Sequence, residues 1–152
     1  LDEHYDELWT GGKASYKLGG IIEDGGELII LAPHLRCASD THGKMIEEYG
    51  YAPIERVKQL VAADADLRAD LCVAAHLAHV AYAGTNASAG LEPRYRISLV
   101  SQIDEETCGR LNLQYLAPQD LDMAVLENDS DTLIVRRAGT KLYLLSDEVL
   151  PV

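Results

Sequence analysis

The feature that most constrains the fold is a short, uninterrupted apolar run, LIILA, at residues 28–32. The run has no polar residue to turn towards water, which is typical of a strand buried in a parallel sheet. Asp24-Gly25-Gly26 directly before it predicts a turn. We therefore expect residues 28–32 to form a central buried strand, with helices on the faces of its sheet.

The remaining hydrophobic periodicity predicts helices that alternate with strands. Residues 71–80 fit either a buried strand or a helix, because their apolar run carries no clear period. For the first helix, Thr10 is an alternative cap with the helix starting at Gly11, and the bare glycines there permit close approach of another backbone or a ligand. Asp40 or Thr41 is expected to cap the second helix, with Gly50 ending it. Helices are predicted at about 6–18, 41–48, 53–68, 104–111 (capped by Asp104) and 118–127, a strand at 95–100, a loop at 84–93 and a hairpin from 132–135 and 141–145.

This alternation is typical of an α/β layered sheet, mostly parallel, with flanking helices and a carboxy-terminal hairpin. The length of 152 residues suits a single α/β domain over residues 1–152. Because the chain begins at Leu1 rather than at methionine, we expect this domain to be a piece of a longer protein.

Charge and composition exclude several classes of partner. The net charge of −12 argues against nucleic acid and against an anionic membrane surface, both of which select basic patches. No apolar run is long enough to span a membrane, and the acidic amino terminus is unlike a signal peptide, so a cytoplasmic location is expected. The three cysteines form no CxxC pair, so neither a disulfide framework nor a thiolate zinc site is indicated.

Candidate ligand contacts come from two neighbouring segments. Trp9 and Lys13 are spaced to share one face of the first helix, together with Tyr16 and Lys17. His34 and His42 flank the loop after the predicted strand, and ligands of open α/β sheets bind at the carboxyl ends of strands. The alternative interpretation is a solvated helix lysine and exposed loop histidines.

His76 and His79 offer a different chemistry. On a helix, two histidines three residues apart share a face and can ligate a metal, whereas on a strand they point to opposite sides. Buried, hydrogen-bonded histidines are the simpler interpretation. Two rival functions follow: a small metal-dependent hydrolase using His34, His42, His76 and His79, or a non-catalytic α/β interaction module.

Residues 6–34, DELWTGGKASYKLGGIIEDGGELIILAPH, resemble the start of the carboxy-terminal domain of the nickel-dependent lactate racemase family. Members carry an aromatic–Gln–x–x–Lys helix start, then a Gly-Gly turn and an apolar strand. Trp9 stands at the aromatic position, Thr10 at the glutamine position and Lys13 at the lysine position. The later stretches HGKMIEEYGY and IVRRAGTKLYLL are similar to a divergent branch of that family, so the resemblance extends over nearly the whole chain.

The resemblance implies a racemase or epimerase that moves a hydride from the α-carbon of a 2-hydroxy acid to a nickel pincer nucleotide. A lysine and a histidine of the amino-terminal catalytic domain hold this cofactor, and a histidine base takes the hydroxyl proton. The present chain would then bind neither the cofactor nor a metal, and alone it would be inactive. It would contact a small 2-hydroxy acid through Lys13, with Trp9, Thr10, His34 and His42 around it. Thr10 is shorter than glutamine, which leaves the identity of the acid open, and a homo-oligomer is compatible with all of this.

Overall fold

A three-stranded, all-parallel sheet organises the α/β fold in the computed structural model, which describes residues 1, 4–82 and 91–143. The strands are β1 (Glu27–Leu31), β2 (Arg96–Val100) and β3 (Gln114–Tyr115), in the order β1-β2-β3. In the register of the first pair, Glu27 lies opposite Arg96 and Leu31 opposite Val100. The strands predicted at 28–32 and 95–100 are therefore confirmed to within one residue.

The position of β1 differs from the prediction. In the described sheet β1 lies at an edge and β2 is central, since β2 alone pairs on both sides. Leu28 and Ile30 of β1 are buried, but Leu31 is 38% exposed. The prediction of a central strand at residues 28–32 is thus wrong for the part of the chain that is described. The apolar run alternates between covered and partly covered side chains, as an edge strand with one core face does.

The helices are α1 (Leu8–Gly11), α2 (Lys13–Leu18), α3 (Gly43–Tyr49), α4 (Ile54–Ala63), α5 (Ala65–Ala69), α6 (Leu71–Tyr82), α7 (Glu105–Arg110) and α8 (Met123–Asn128). Helices α2, α3, α4 and α5 all contact α6. Residues 71–80, whose sequence fits either a strand or a helix, are helical, and Val73 and Leu77 are fully buried there. Within the described residues, no helix has both the length and the apolarity that a membrane crossing requires.

Polar capping residues make several helices shorter than predicted. The helix expected at 53–68 breaks at Asp64, whose carboxylate accepts the backbone N–H groups of Asp66 and Leu67 and so begins α5. In the same way Asp122 starts α8, and the preceding Pro118–Asp120 forms a separate 3-10 turn. The predicted cap at Asp104 is confirmed, since it accepts the N–H of Thr107.

The caps expected for α3 are wrong at its start and right at its end. Neither Asp40 nor Thr41 caps the helix; the hydroxyl of Ser39 accepts the N–H groups of Thr41 and His42 instead. At the other end Gly50 adopts φ 69°, a left-handed conformation that favours glycine. A Cβ on Gly50 would lie 2.4 Å from Nδ2 of Asn112, so the position excludes larger residues on two grounds.

The predicted carboxy-terminal hairpin is absent from the described residues. Residues 132–135 and 141–143 form no strand, and Ala138–Thr140 is a 3-10 turn. This segment satisfies its backbone on α2: the N–H of Tyr143 donates to the carbonyl of Lys17, and the Lys17 ammonium donates to the carbonyl of Gly139. Residues 144–145, and most of the loop predicted at 84–93, lie outside the described residues.

Candidate functional site

Main-chain hydrogen bonds bring the first helix and the loop after β1 together. The N–H of Leu8 donates to the carbonyl of Cys37 at 3.0 Å, and the N–H of Trp9 donates to the carbonyl of Ala38 at 2.8 Å. Glu7 and Cys37 form an isolated parallel β-bridge at the same place. The loop that leaves the carboxyl end of β1 therefore returns alongside α1, next to Trp9.

The two segments meet in a column of aromatic rings formed by Tyr51, His76, Trp9 and His42. The indole of Trp9 stacks on His76, with ring centroids 3.9 Å apart, and on His42 at 4.7 Å. His76 Nε2 and the hydroxyl of Tyr51 are 3.1 Å apart and hydrogen-bonded. Tyr51 is 1% and His76 5% exposed, whereas Trp9 and His42 are half-buried. This ring column thus runs from the core to the surface.

The buried end of the ring column is uncharged near neutral pH. Burial, with smaller effects of the neighbouring His42 and His79, lowers the pKa of His76 to about 4. Burial, with a smaller effect of Glu7, raises the pKa of the Tyr51 phenol far above its usual value. The hydrogen bond between them therefore joins a neutral imidazole to a phenol, and either ring can donate, depending on the histidine tautomer.

Lys13 is the first residue of α2, and its side chain is exposed. The preceding Gly12 presses against α6, since a Cβ there would lie 2.3 Å from Cγ1 of Val80. The group that approaches Gly12 from α6 is a side chain, whereas the glycine pair was expected to admit another backbone or a ligand. The close packing of Gly12 against Val80 fixes the start of α2. It therefore fixes the position on the surface from which Lys13, four residues after Trp9, projects.

The other members of the predicted helix face serve the fold. Tyr16 stacks on His79 with centroids 4.8 Å apart, and Lys17 binds the carbonyl of Gly139. The hydroxyl of Thr10 donates to the carbonyl of Glu7 at 3.2 Å, within its own helical turn. Thr10 is therefore directed towards backbone, and only its lone pairs remain for a ligand.

His34 lies in the same loop as His42 but does not join the ring column in the described part of the chain. It is half-buried, and its Nε2 is a buried atom without a hydrogen-bond partner among the described residues. The carbonyl of the preceding Pro33 accepts a hydrogen bond from Gln102 at 3.0 Å, which ties this end of the loop to the segment after β2.

The histidines do not gather into a metal site. His76 turns into the core towards Trp9 and Tyr51, while the exposed His79 turns towards Tyr16. Within residues 1, 4–82 and 91–143, no three of His34, His42, His76 and His79 bring ligand atoms within 4.8 Å of one another. The arrangement therefore gives no support to the four-histidine hydrolase.

Glu7, Cys37 and Asp40 do bring three potential ligand atoms within 4.8 Å of one another. The carboxylate of Asp40, however, is held by both terminal nitrogens of Arg36, at 2.9 and 2.6 Å. Burial raises the pKa of the Cys37 thiol, and its hydrogen bond to Asp40 raises it further, which disfavours the thiolate that a metal needs. The cluster is therefore an ion pair with a thiol beside it.

Sequence reasoning missed Tyr51, the buried end of the ring column. It stands in a short apolar stretch after Gly50 and carries no motif, so its role follows only from the packing of α6. Two cavities of about 420 and 240 Å³ lie elsewhere, and neither is lined by a member of the ring column. Trp9 and His42 are half-buried and Lys13 is exposed, so the candidate site lies at the surface.

Comparison with known proteins gives one informative match. No family model and no curated protein matches the chain. Among solved structures, a protein from Thermotoga maritima determined by the Northeast Structural Genomics Consortium has a similar fold, with a TM-score of 0.79 and 34% sequence identity. The match covers 93% of this chain and 34% of that one, so this chain spans about a third of the length of its structural neighbour.

Proposed function

We propose that this chain is the substrate-contacting carboxy-terminal domain of a nickel-pincer 2-hydroxy acid racemase or epimerase that works by hydride transfer. The observation that carries the proposal is the contact between Trp9 and His42; Lys13, four residues after Trp9 in the sequence, is exposed. Trp9 and Lys13 come from the stretch that resembles this family, and His42 ends the loop at the carboxyl end of β1. The support is that two separately identified segments form one surface.

The chemistry of a 2-hydroxy acid suits this surface. Lys13 supplies an ammonium for the carboxylate, a charge-assisted hydrogen bond worth about 1.5–3 kcal/mol where water is excluded. His42 and His34 carry ring nitrogens that can bond the 2-hydroxyl group, and the indole of Trp9 covers the apolar part of the ligand. A second domain closing over this open surface would provide the low-dielectric surroundings in which such contacts are strongest.

The described residues do not fit the nickel cofactor itself. Their one set of three potential ligands has its carboxylate paired with Arg36 and its thiol kept protonated. We therefore assign no step to nickel within this chain and place the cofactor in the amino-terminal domain. The short span relative to the Thermotoga maritima protein supports a multi-domain setting, because two thirds of that chain lie outside the match.

The test is epimerisation by the complete gene product carrying its nickel cofactor. A panel of 2-hydroxy acids deuterated at the α-carbon is supplied, and the products are resolved by chiral chromatography and mass. Hydride transfer predicts inversion with a primary isotope effect and with the deuterium kept at the α-carbon. Washing out of the label would indicate proton abstraction instead, and no inversion of any acid would refute the proposal and favour an interaction module.

Lys13→Ala then tests the role of this chain. Loss of the ammonium should lower kcat/KM by about ten- to a hundredfold, the equivalent of one charge-assisted contact. Lys13→Arg should recover only part of the loss, because a planar fork does not replace a point charge. Lys58→Ala is the matched control, since Lys58 is an exposed lysine on α4 that pairs with Glu55. Equal activity of Lys13→Ala and Lys58→Ala would exclude substrate contact by Lys13.

A further inference from the structure

We infer that Tyr51 and His76 are positioning residues that hold the indole of Trp9, and through it the imidazole of His42, in the orientation that the candidate site uses. The inference rests on the proposed function for what the site binds. The positions of the four rings relative to one another do not depend on that function, because they follow from contacts between described side chains.

The buried end of the column is fixed by backbone contacts. The N–H of Tyr51 donates to the carbonyl of Leu111 at 3.1 Å, and the side-chain amide of Asn112 donates to the carbonyl of Tyr51 at 3.1 Å. Tyr51 is therefore tied to the chain that connects α7 with β3, and its phenol has no freedom to leave the core.

His76 links the fixed Tyr51 side chain to Trp9. Its Nε2 meets the Tyr51 hydroxyl at 3.1 Å, which selects one of the two flipped orientations of the imidazole. The face of the same ring lies against Trp9 at 3.9 Å with an interplanar angle of 21°. Without the hydroxyl, the ring can rotate about its own side-chain bonds, and the stacking surface offered to Trp9 changes.

Trp9 depends on this stacking because its own polar atom does not anchor it. Among the described residues, the indole N–H of Trp9 donates no hydrogen bond, and the side chain is only half-buried. The two imidazoles that stack on it, together with its packing against the core, therefore hold its orientation. His42 sits directly before α3, with its backbone N–H bonded to Ser39, and its ring rests on Trp9.

The sequence supplies a direct probe, because Trp9 is the single tryptophan. Time-resolved fluorescence anisotropy of the chain measures local motion of the Trp9 indole without any ligand. Tyr51→Phe removes only the hydroxyl and should increase the amplitude of this motion. Tyr95→Phe is the control: it also removes a buried hydroxyl, bonded to Ser15 at 2.9 Å, but outside the ring column. Unchanged motion in Tyr51→Phe, with native circular dichroism, would overturn the inference.

A second variant, His76→Phe, tests the same contact if Tyr51→Phe fails to fold. His76→Phe keeps a flat ring against Trp9 but loses the hydrogen bond to Tyr51, and it should release the indole as Tyr51→Phe does. If either variant folds and leaves the anisotropy decay of Trp9 at the wild-type values, the ring column does not position Trp9.

Activity separates this inference from the proposed function. In the complete, cofactor-loaded enzyme, Tyr51→Phe should lower kcat/KM about tenfold, since small misplacements of binding groups are costly, whereas Tyr95→Phe should match wild type. A mobile indole with unchanged kcat/KM would overturn the positioning role. Suppose that Lys13→Ala and Trp9→Phe both leave kcat/KM unchanged while Tyr51→Phe still increases the motion of the Trp9 indole. The proposed function is then refuted, but the conclusion that Tyr51 and His76 hold the Trp9 indole is not.

Discussion

Mild acid should destabilise this protein through His76. His76 has an ordinary pKa of 6.5 in the unfolded chain and one of about 4 in the fold, because it is buried. Between these values the unfolded state holds more protons than the folded state, so the free energy of unfolding falls as the pH falls. Above pH 6.5 both states are neutral and His76 adds no pH dependence.

The expected size follows from the two pKa values. Acidification from pH 7 to pH 5 should remove about 2 kcal/mol from the free energy of unfolding through His76 alone, and about 3 kcal/mol once the pH is below 4. The pKa values of Asp40, Asp64, Asp104 and Asp129 are lowered in the fold, so these carboxylates lose their stabilising effect only at more acidic pH.

The assay is urea denaturation followed by circular dichroism in half-unit steps from pH 7 to pH 5. His76→Gln should be less stable at pH 7, since it loses the Tyr51 contact, but its stability should fall about 2 kcal/mol less than that of wild type over this range. Ile97→Val is the control: it removes one methylene from a buried strand position at a cost of about 1 kcal/mol and should keep the wild-type slope. Equal slopes for wild type and His76→Gln would refute the assignment.

Three further substitutions test the packing that positions the site, each by its urea midpoint. Gly12→Ala should destabilise by about 1–3 kcal/mol, because its Cβ would overlap Val80 on α6; a neutral result would show that α2 can move away from α6. Gly50→Ala should cost at least about 1–2 kcal/mol, since it combines φ 69° with contact against Asn112. Tyr95→Phe should cost about 1 kcal/mol, the net value of one buried hydrogen bond.

The sequence predicted those elements whose causes are local. The strand at 28–32, the cap at Asp104 and the left-handed end at Gly50 each depend on residues within a few positions, and all three are present. The edge position of β1 depends on which strands pair with it, and no residue within the run encodes that. The described residues of the predicted hairpin form no strand for a related reason, since Gly139 and Tyr143 hydrogen-bond to Lys17 of α2 instead.

The contacts of the candidate site likewise fall into those that the sequence predicted and those that depend on packing. The proximity of Trp9 to the loop ending in His42 could be anticipated, because helix spacing and the carboxyl-end rule are general. The choice of His76 rather than His79 as the partner of Trp9 could not, since both lie on one helix and only packing decides which of them faces the core. Lys17 was predicted on the same helix face as Lys13, but its ammonium donates a hydrogen bond to the carbonyl of Gly139.

The backbone pairing between residues 7–9 and 37–38 has a consequence for how this arrangement changes during evolution. Because amide and carbonyl groups make those contacts, Glu7, Leu8, Cys37 and Ala38 can each be replaced without loss of the bonds that align the two segments. An insertion or deletion of a single residue between Ala38 and His42 would leave this pairing in place but would displace His42 from Trp9. Distant relatives should therefore keep the spacing of this loop long after its residues have diverged.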